Sequence, residues 1–198
     1  MRNLSHVLRR TAAVVIIVVL PGLSVVTRAA AAPGQMGQGH SGSHTATDAP
    51  ATSEQRAAAA RLFEDVKAGI ARFADIQAAQ AAGFEQSAPF RFGDWGPAHF
   101  RHRANRIDDR LLDPTRPEGL VYLRLQDGRT VLLGAFFLAP RGQGPRPGGP
   151  ITEWHFHNPD GQGEMMHVWT FGHPDGPFAR ALNREGMQAA IQYAARQR

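Results

Sequence analysis

Residues 119–139 have the sequence GLVYLRLQDGRTVLLGAFFLA, and this stretch decides the class of the fold. From Val121 to Leu125, an apolar residue stands at every second position, which is typical of a strand that directs these side chains to one face. Asp127-Gly128 is a two-residue hairpin signal. The return run, residues 130–139, is apolar at nearly every position, which predicts a central strand covered on both faces. The stretch therefore predicts an antiparallel hairpin inside a sheet.

Upstream of the hairpin, the sequence predicts a long helix. Thr52 and Gln55 fit a capping box, and apolar residues recur at helical spacing after them. Gly83 is a suitable C-terminal stop. We expect one amphipathic helix of about 30 residues, with a break near residues 74–75.

The remaining segments complete the predicted architecture. Residues 84–118 are rich in aromatic side chains without clear periodicity, which predicts a long irregular loop. Residues 140–150 form a Gly/Pro loop, residues 152–157 and 165–171 predict two short strands, and residues 178–196 predict a C-terminal helix. The predicted fold class is α+β: a small antiparallel β-sheet with a long N-terminal helix, a C-terminal helix and a long aromatic loop between the first helix and the sheet.

The N-terminus has the pattern of an export signal. Three arginines and no acid precede an apolar run over residues 11–26, and the small residues AAAAP follow at 29–33. The run is shorter than the roughly 20 residues of a spanning helix, and Pro21-Gly22 interrupts it. We predict a signal peptide over residues 1–31, a disordered Gly/Ser/His linker over 32–52 and a single α+β domain over 53–198. The predicted location is periplasmic or extracellular, with no stable membrane anchor after signal cleavage.

Charge and cysteine content exclude several functions. The whole chain has 22 basic and 17 acidic side chains, a net charge of +5. Removing residues 1–31 takes away four arginines and no acid, which leaves 18 basic against 17 acidic side chains. We therefore expect no nucleic-acid partner. The chain has no cysteine, so an exported domain of this kind would have to bind a soft metal through His and Met.

Two histidines two residues apart mark a candidate metal site. In Trp154-His155-Phe156-His157, the alternation of a strand directs both imidazoles to one face, about 6.6 Å apart along the chain. Neutral imidazole is a ligand for copper, zinc and iron.

The register with the next predicted strand decides which residues join this pair. If His155 lies opposite His167 and His157 opposite Met165, the shared face offers three His and one Met, a set that suits copper or zinc. A register shifted by one residue instead brings Glu164 and Met166 to that face, which resembles a two-His, one-carboxylate site. We favour the first register. His99, in the predicted aromatic loop, is a further candidate ligand, so the candidate metal ligands are His99, His155, His157, His167 and Met165.

Two resemblances bear on this site. Gly149 followed by His155-x-His157 resembles the opening of the cupin metal motif, although Glu164 lies farther from His157 than that motif places its Glu.

The second resemblance covers roughly residues 60–180. The blocks W-H-x-H from Trp154, M-H-V-W from Met166 and P-D-G-P-F-A from Pro174 resemble those of a family of uncharacterised exported bacterial proteins. The resemblance implies export and a common fold, and it implies no activity. The histidines at matching positions are His99, His155, His157 and His167.

Three functions fit these features. The favoured hypothesis is an exported metal-binding protein that binds, sequesters or delivers an ion, with copper favoured and zinc as the other candidate. The alternative is a metal-dependent enzyme, a hydrolase or oxygenase with a cupin-like site, in which Glu153 or Glu164 is the general base. Its pocket would be walled by Trp154, Phe156, Trp169 and Phe171. The third hypothesis is a metal-free envelope protein.

Overall fold

The structure, a computed structural model, describes residues 49–88, 94–156, 161 and 163–197. The predicted signal peptide over 1–31 and nearly all of the predicted linker lie outside the described residues. The helices and strands, in chain order, are α1 (Ser53–Ile70), α2 (Ile76–Ala81), β1 (Phe84–Gln86), β2 (Gly96–His102), β3 (Gly119–Arg124), β4 (Thr130–Pro140), β5 (Gly163–Trp169) and α3 (Arg184–Arg196).

The N-terminal helix begins as its sequence predicts. The Thr52 hydroxyl accepts a hydrogen bond from the Gln55 amide at 3.2 Å, and the Gln55 side chain accepts one from the Thr52 amide at 2.9 Å. This reciprocal pair is the predicted capping box. The predicted break is also present, because Asp75 caps α2 by accepting from the Gln77 amide at 2.9 Å. Gly83, with φ of +96°, follows α2 in the left-handed conformation that favours glycine.

The described strands form a five-stranded antiparallel sheet in the order β1-β2-β3-β4-β5, which confirms the α+β class. β3 and β4 form the predicted hairpin. Val121 pairs with Gly134 whereas Tyr122 pairs with Leu132, so Leu133 is an extra residue in β4. Such a bulge bends the strand and increases its twist.

The prediction of a long irregular loop over residues 84–118 is wrong, because β1 and β2 lie within it. Along β2 the buried positions are Gly96, Ala98 and Phe100. Two of these three buried residues are small, so the alternation leaves little apolar signal in the sequence.

Two further boundaries differ from the predictions. Of the predicted strand over 152–157, the described residues 152–156 do not form a strand, and His155 makes an isolated bridge to Met165. The C-terminal helix begins at Arg184 rather than near residue 178, because the Asn183 side chain caps it by accepting from the Gly186 amide at 2.8 Å.

Apolar side chains cover both faces of the sheet. We call one the α1 face, because α1 packs on it; its buried residues include Leu62, Val66, Ile70, Phe100, Tyr122, Phe137, Met166 and Val168. We call the other the α3 face; its buried residues include Val121, Leu123, Leu133, Phe136, Trp169, Ala190 and Ala194. Among the described helices, none is both long and apolar enough to cross a membrane.

Candidate metal centre

His99 and His167 meet on the α3 face of the sheet. His99 lies on β2 between Ala98 and Phe100, which both belong to the α1-face core, so its side chain points the other way. The same alternation on β5 directs His167 to the α3 face. The two Nε2 atoms are 3.4 Å apart.

The sheet must coil to bring these two rings together. β3 and β4 lie between β2 and β5, so the two strands would be about 14 Å apart in a flat sheet. Strand side chains stand roughly perpendicular to the sheet, so the two rings meet only if it curls toward the α3 face. The bulge at Leu133 lies on β4, between the two strands, and supplies bending.

Phe136 forms the floor between the two rings. Its ring centroid lies 5.2 Å from that of His99 and 6.3 Å from that of His167. Gly119 makes room for it, because a Cβ at this position would lie 2.0 Å from the Phe136 ring. The floor is therefore apolar. Its position depends on the close approach of the Phe136 ring to Gly119, which any side chain at residue 119 would obstruct.

The hydrogen bond at the far side of His167 determines its tautomer. Its Nδ1 lies 3.0 Å from the Arg180 carbonyl oxygen. A carbonyl oxygen can only accept, so neutral His167 has its proton on Nδ1 and its lone pair on Nε2, toward His99. His167 is 3% exposed, and Trp169 stacks on its ring at 4.8 Å between centroids.

His155 and Met165 lie next to this pair. His155 exchanges two backbone hydrogen bonds with Met165, of 2.9 and 2.8 Å. The favoured arrangement, with His155, Met165 and His167 on one face, is therefore observed, although His155 pairs with Met165 and not with His167, a shift of two residues. Since a shift of two preserves the face, the His155 ring still stacks on His167, with centroids 5.2 Å apart. His157 lies outside the described residues.

The two acids considered as ligand or general base have other partners. Glu164 accepts a hydrogen bond from the Gly144 amide at 2.7 Å, and Met166, two residues further on, packs in the α1-face core. The register that would bring these two residues to the imidazoles is thus not the one observed. Glu153 accepts from the Arg180 guanidinium, with Nε and Oε2 2.9 Å apart. Through Arg180, whose carbonyl contacts His167, Glu153 is connected to the site only indirectly.

Two other histidines have structural roles. The His102 Nε2 lies 2.9 Å from the Ala82 carbonyl oxygen, and its Nδ1 accepts from the Asn105 amide at 3.2 Å. The His173 Nδ1 accepts from the Asp175 amide at 3.1 Å, and its ring is buried. His102 therefore has both ring nitrogens occupied by the backbone and is a natural control for the site.

Within the described parts of the chain, no group of three or more His, Cys, Asp or Glu side chains could hold a metal ion as placed. What the structure offers is the His99–His167 pair, with His155 and Met165 beside it. A third ligand from these residues would need a ring or side-chain rotation.

Sequence reasoning missed one further buried ionisable residue. Glu118 is 3% exposed, and its carboxylate accepts from the Leu138 amide at 3.2 Å. Burial raises the pKa of Glu118 from 4.5 to about 7. A carboxyl group directly before a buried strand, in Pro117-Glu118-Gly119, was the available signal.

No protein-family model, curated protein or solved structure matches the chain. The resemblance to exported bacterial proteins stays a prediction, and the function has to be argued from the geometry of the site.

Proposed function

We propose that this chain is an exported metal-binding protein that holds a copper or zinc ion, copper in preference, through His99 and His167. The observation that carries the proposal is the 3.4 Å separation of their Nε2 atoms. Two imidazoles bound to one tetrahedral ion at about 2.0–2.1 Å have their nitrogens about 3.3–3.4 Å apart. The pair thus has the spacing of two ligands on one ion.

The environment of His167 supports the same role. Metal-binding histidines usually donate their second ring N–H to a carbonyl or carboxylate, which fixes the ring and leaves the other nitrogen for the ion. The Arg180 carbonyl takes this part for His167. At 3.4 Å, the contact between His99 and His167 is also long for a hydrogen bond.

The neighbouring side chains favour copper. Met165 contributes a thioether next to His155, and thioether sulfur is a ligand for Cu(I) rather than for hard cations. His155 and Met165 would complete the coordination of the ion. His157 stays a predicted ligand.

Residues 1–31 support export, and the near-neutral charge of the remaining chain argues against a nucleic-acid partner. In an oxidising compartment, a site built from His and Met also avoids the oxidation of cysteine thiolates. We therefore propose that the protein binds, sequesters or delivers its ion in the periplasm or outside the cell.

Titration of the purified protein with Cu(I), against a chromophoric competing chelator, and with Zn(II) tests the proposal. The variants are made in a His40→Ser/His44→Ser background, because these two linker histidines could bind metal by themselves. We expect one ion per chain, and a loss of affinity of about tenfold or more for His99→Gln and for His167→Gln.

His102→Gln is the matched control. It removes another histidine of β2, whose ring nitrogens contact the backbone, and it should leave metal affinity unchanged. The proposal fails if the parent protein binds no ion, which would favour a metal-free envelope protein. It also fails if His102→Gln costs as much affinity as His99→Gln.

A further inference from the structure

A cleft of about 850 Å³ opens beside the imidazoles, at one end of the sheet. Its lining includes Arg101 of β2, Leu138 of β4 and Met165 of β5. Leu138 and Met165 pair with each other, two positions beyond the Phe136–His167 pair, and Arg101 is aligned with that pair through Gly119. Ala139, which belongs to the α1-face core, also lines the cleft, so the cleft lies across the end of the sheet. Its volume is in the range of small-molecule sites.

Two arginines provide the positive charge in this cleft. Arg101 and Arg106 both line it, and neither makes an ion pair within the described chain. Of the acids around them, Asp108 is held by Arg116 at 2.8 Å and Glu164 by the Gly144 amide. Asp109 is the remaining surface acid of the lining. Arg101 and Arg106 therefore share the cleft with Asp109 and Glu164, and among the described residues none of these four side chains is in an ion pair.

Glu118 adds a buried polar group to the same lining. One of its oxygens accepts from the Leu138 amide. The Glu118 amide is a second donor to this carboxylate. In the protonated acid, the oxygen that carries the proton can itself donate a hydrogen bond. With burial favouring this protonated form, the cleft combines two guanidinium groups with a carboxylic acid O–H, which are all donors.

We propose that this cleft binds a small organic carboxylate, with Arg101 and Arg106 pairing with its carboxylate and Glu118 donating a hydrogen bond to a second oxygen. Arginine suits this ligand because its planar fork matches the geometry of a carboxylate. The proposal does not depend on a bound metal, since none of these three side chains is a candidate metal ligand.

Calorimetric titration of the metal-stripped protein with succinate tests the assignment, and neutral succinamide is the comparison ligand. We expect succinate to bind and succinamide not to bind. The double variant Arg101→Gln/Arg106→Gln should weaken succinate binding by at least about tenfold, because two charge-assisted hydrogen bonds are lost. Arg110→Gln is the control: Arg110 is an exposed arginine of the same region that pairs with Asp113 outside the cleft lining.

A second arm isolates Glu118. In the parent protein, succinate should bind more tightly as the pH falls from about 8 to about 6, whereas Glu118→Gln should show a flat profile, since its amide is neutral throughout. The other ionisable groups that line the cleft or act on Glu118 are the same in the parent protein and in Glu118→Gln; they are Arg101, Arg106, Asp108, Asp109, Asp113 and Glu164.

Three results would overturn the inference: equal binding of succinamide, equal binding of inorganic phosphate, or a loss in Arg110→Gln as large as in the double variant. Because the protein is metal-stripped, failure here leaves the metal proposal intact, and loss of metal binding in His99→Gln leaves the cleft proposal intact.

Discussion

The two faces of the sheet differ in their polar side chains, although the same strands build both and apolar side chains pack on each. On the α1 face, Phe100, Tyr122 and Phe137 are fully buried, and the one polar atom among them, the Tyr122 hydroxyl, donates to the Phe73 carbonyl. On the α3 face, His99 and His167 stand among Phe136 and Trp169. Both faces are packed with apolar side chains, and the α3 face also holds two imidazoles that contact each other.

This difference indicates a division of roles. Burying imidazoles costs free energy unless their nitrogens are partnered, so a face that carries them is not the best one for stability. Packing on the α1 face can supply the stability that offsets this cost. Substitutions on the α1 face should therefore lower the free energy of unfolding, and substitutions of the imidazoles should lower metal affinity.

The largest expected effect on stability comes from the centre of the α1 face. Phe137→Ala should reduce the free energy of unfolding by about 3–5 kcal/mol, because it removes a fully buried ring and leaves a cavity. Urea denaturation measures this loss, and a Cu(I) titration of the folded variant should give the affinity of the parent protein.

The surface substitution Ile191→Ala is the comparison for this variant. Ile191 is 41% exposed, so its removal should change stability by less than about 0.5 kcal/mol. If folded Phe137→Ala loses metal affinity, the two faces do not have separate roles.

The second effect is a pH dependence that comes from Glu118, directly before β3. The pKa of Glu118 is about 7 in the fold and 4.5 as an ordinary carboxyl, so only the unfolded chain is ionised between these values. Stability is therefore lost as the pH rises from about 4.5 to about 7, by on the order of 3 kcal/mol in total. The difference in unfolding free energy between Glu118→Gln and the parent should shift by this amount in favour of the variant.

Chemical denaturation at pH values on both sides of this window measures that difference. Contributions from other groups cancel between the two proteins. A difference that stays constant with pH would show that Glu118 is not buried in the way the structure describes.

The smallest effect concerns a buried hydrogen bond of the α1 face. Tyr122→Phe removes the hydroxyl that donates to the Phe73 carbonyl at 2.6 Å and leaves this carbonyl buried. We expect a loss of about 1–3 kcal/mol. Tyr193→Phe, at a partly buried position of α3, should cost less than about 0.5 kcal/mol in the same denaturation experiment. Equal losses in the two variants would argue against the buried bond.

Local patterns in the sequence predicted the parts of the fold that depend on neighbouring residues. The capping box of Thr52 and the hairpin around Asp127-Gly128 form as expected, because a few adjacent residues decide both. The prediction missed β2 because its buried positions are Gly96, Ala98 and Phe100. Two of these residues are small, so the strand lacks the regular apolar alternation that marks a strand in the sequence. The pairing of His155 was displaced by two residues, because periodicity specifies a face and leaves the register open.

The sequence by itself determined the β3–β4 hairpin, the start of α1, the absence of cysteine and the histidines and methionines that are available as ligands. The tertiary structure alone decided that His99 and His167, 68 residues apart in the chain, meet at 3.4 Å. Their contact spans three strand spacings, so it depends on the coiling of the whole sheet. A local sequence pattern cannot predict this curvature, because the curvature results from the twist and the bulge of four strands together.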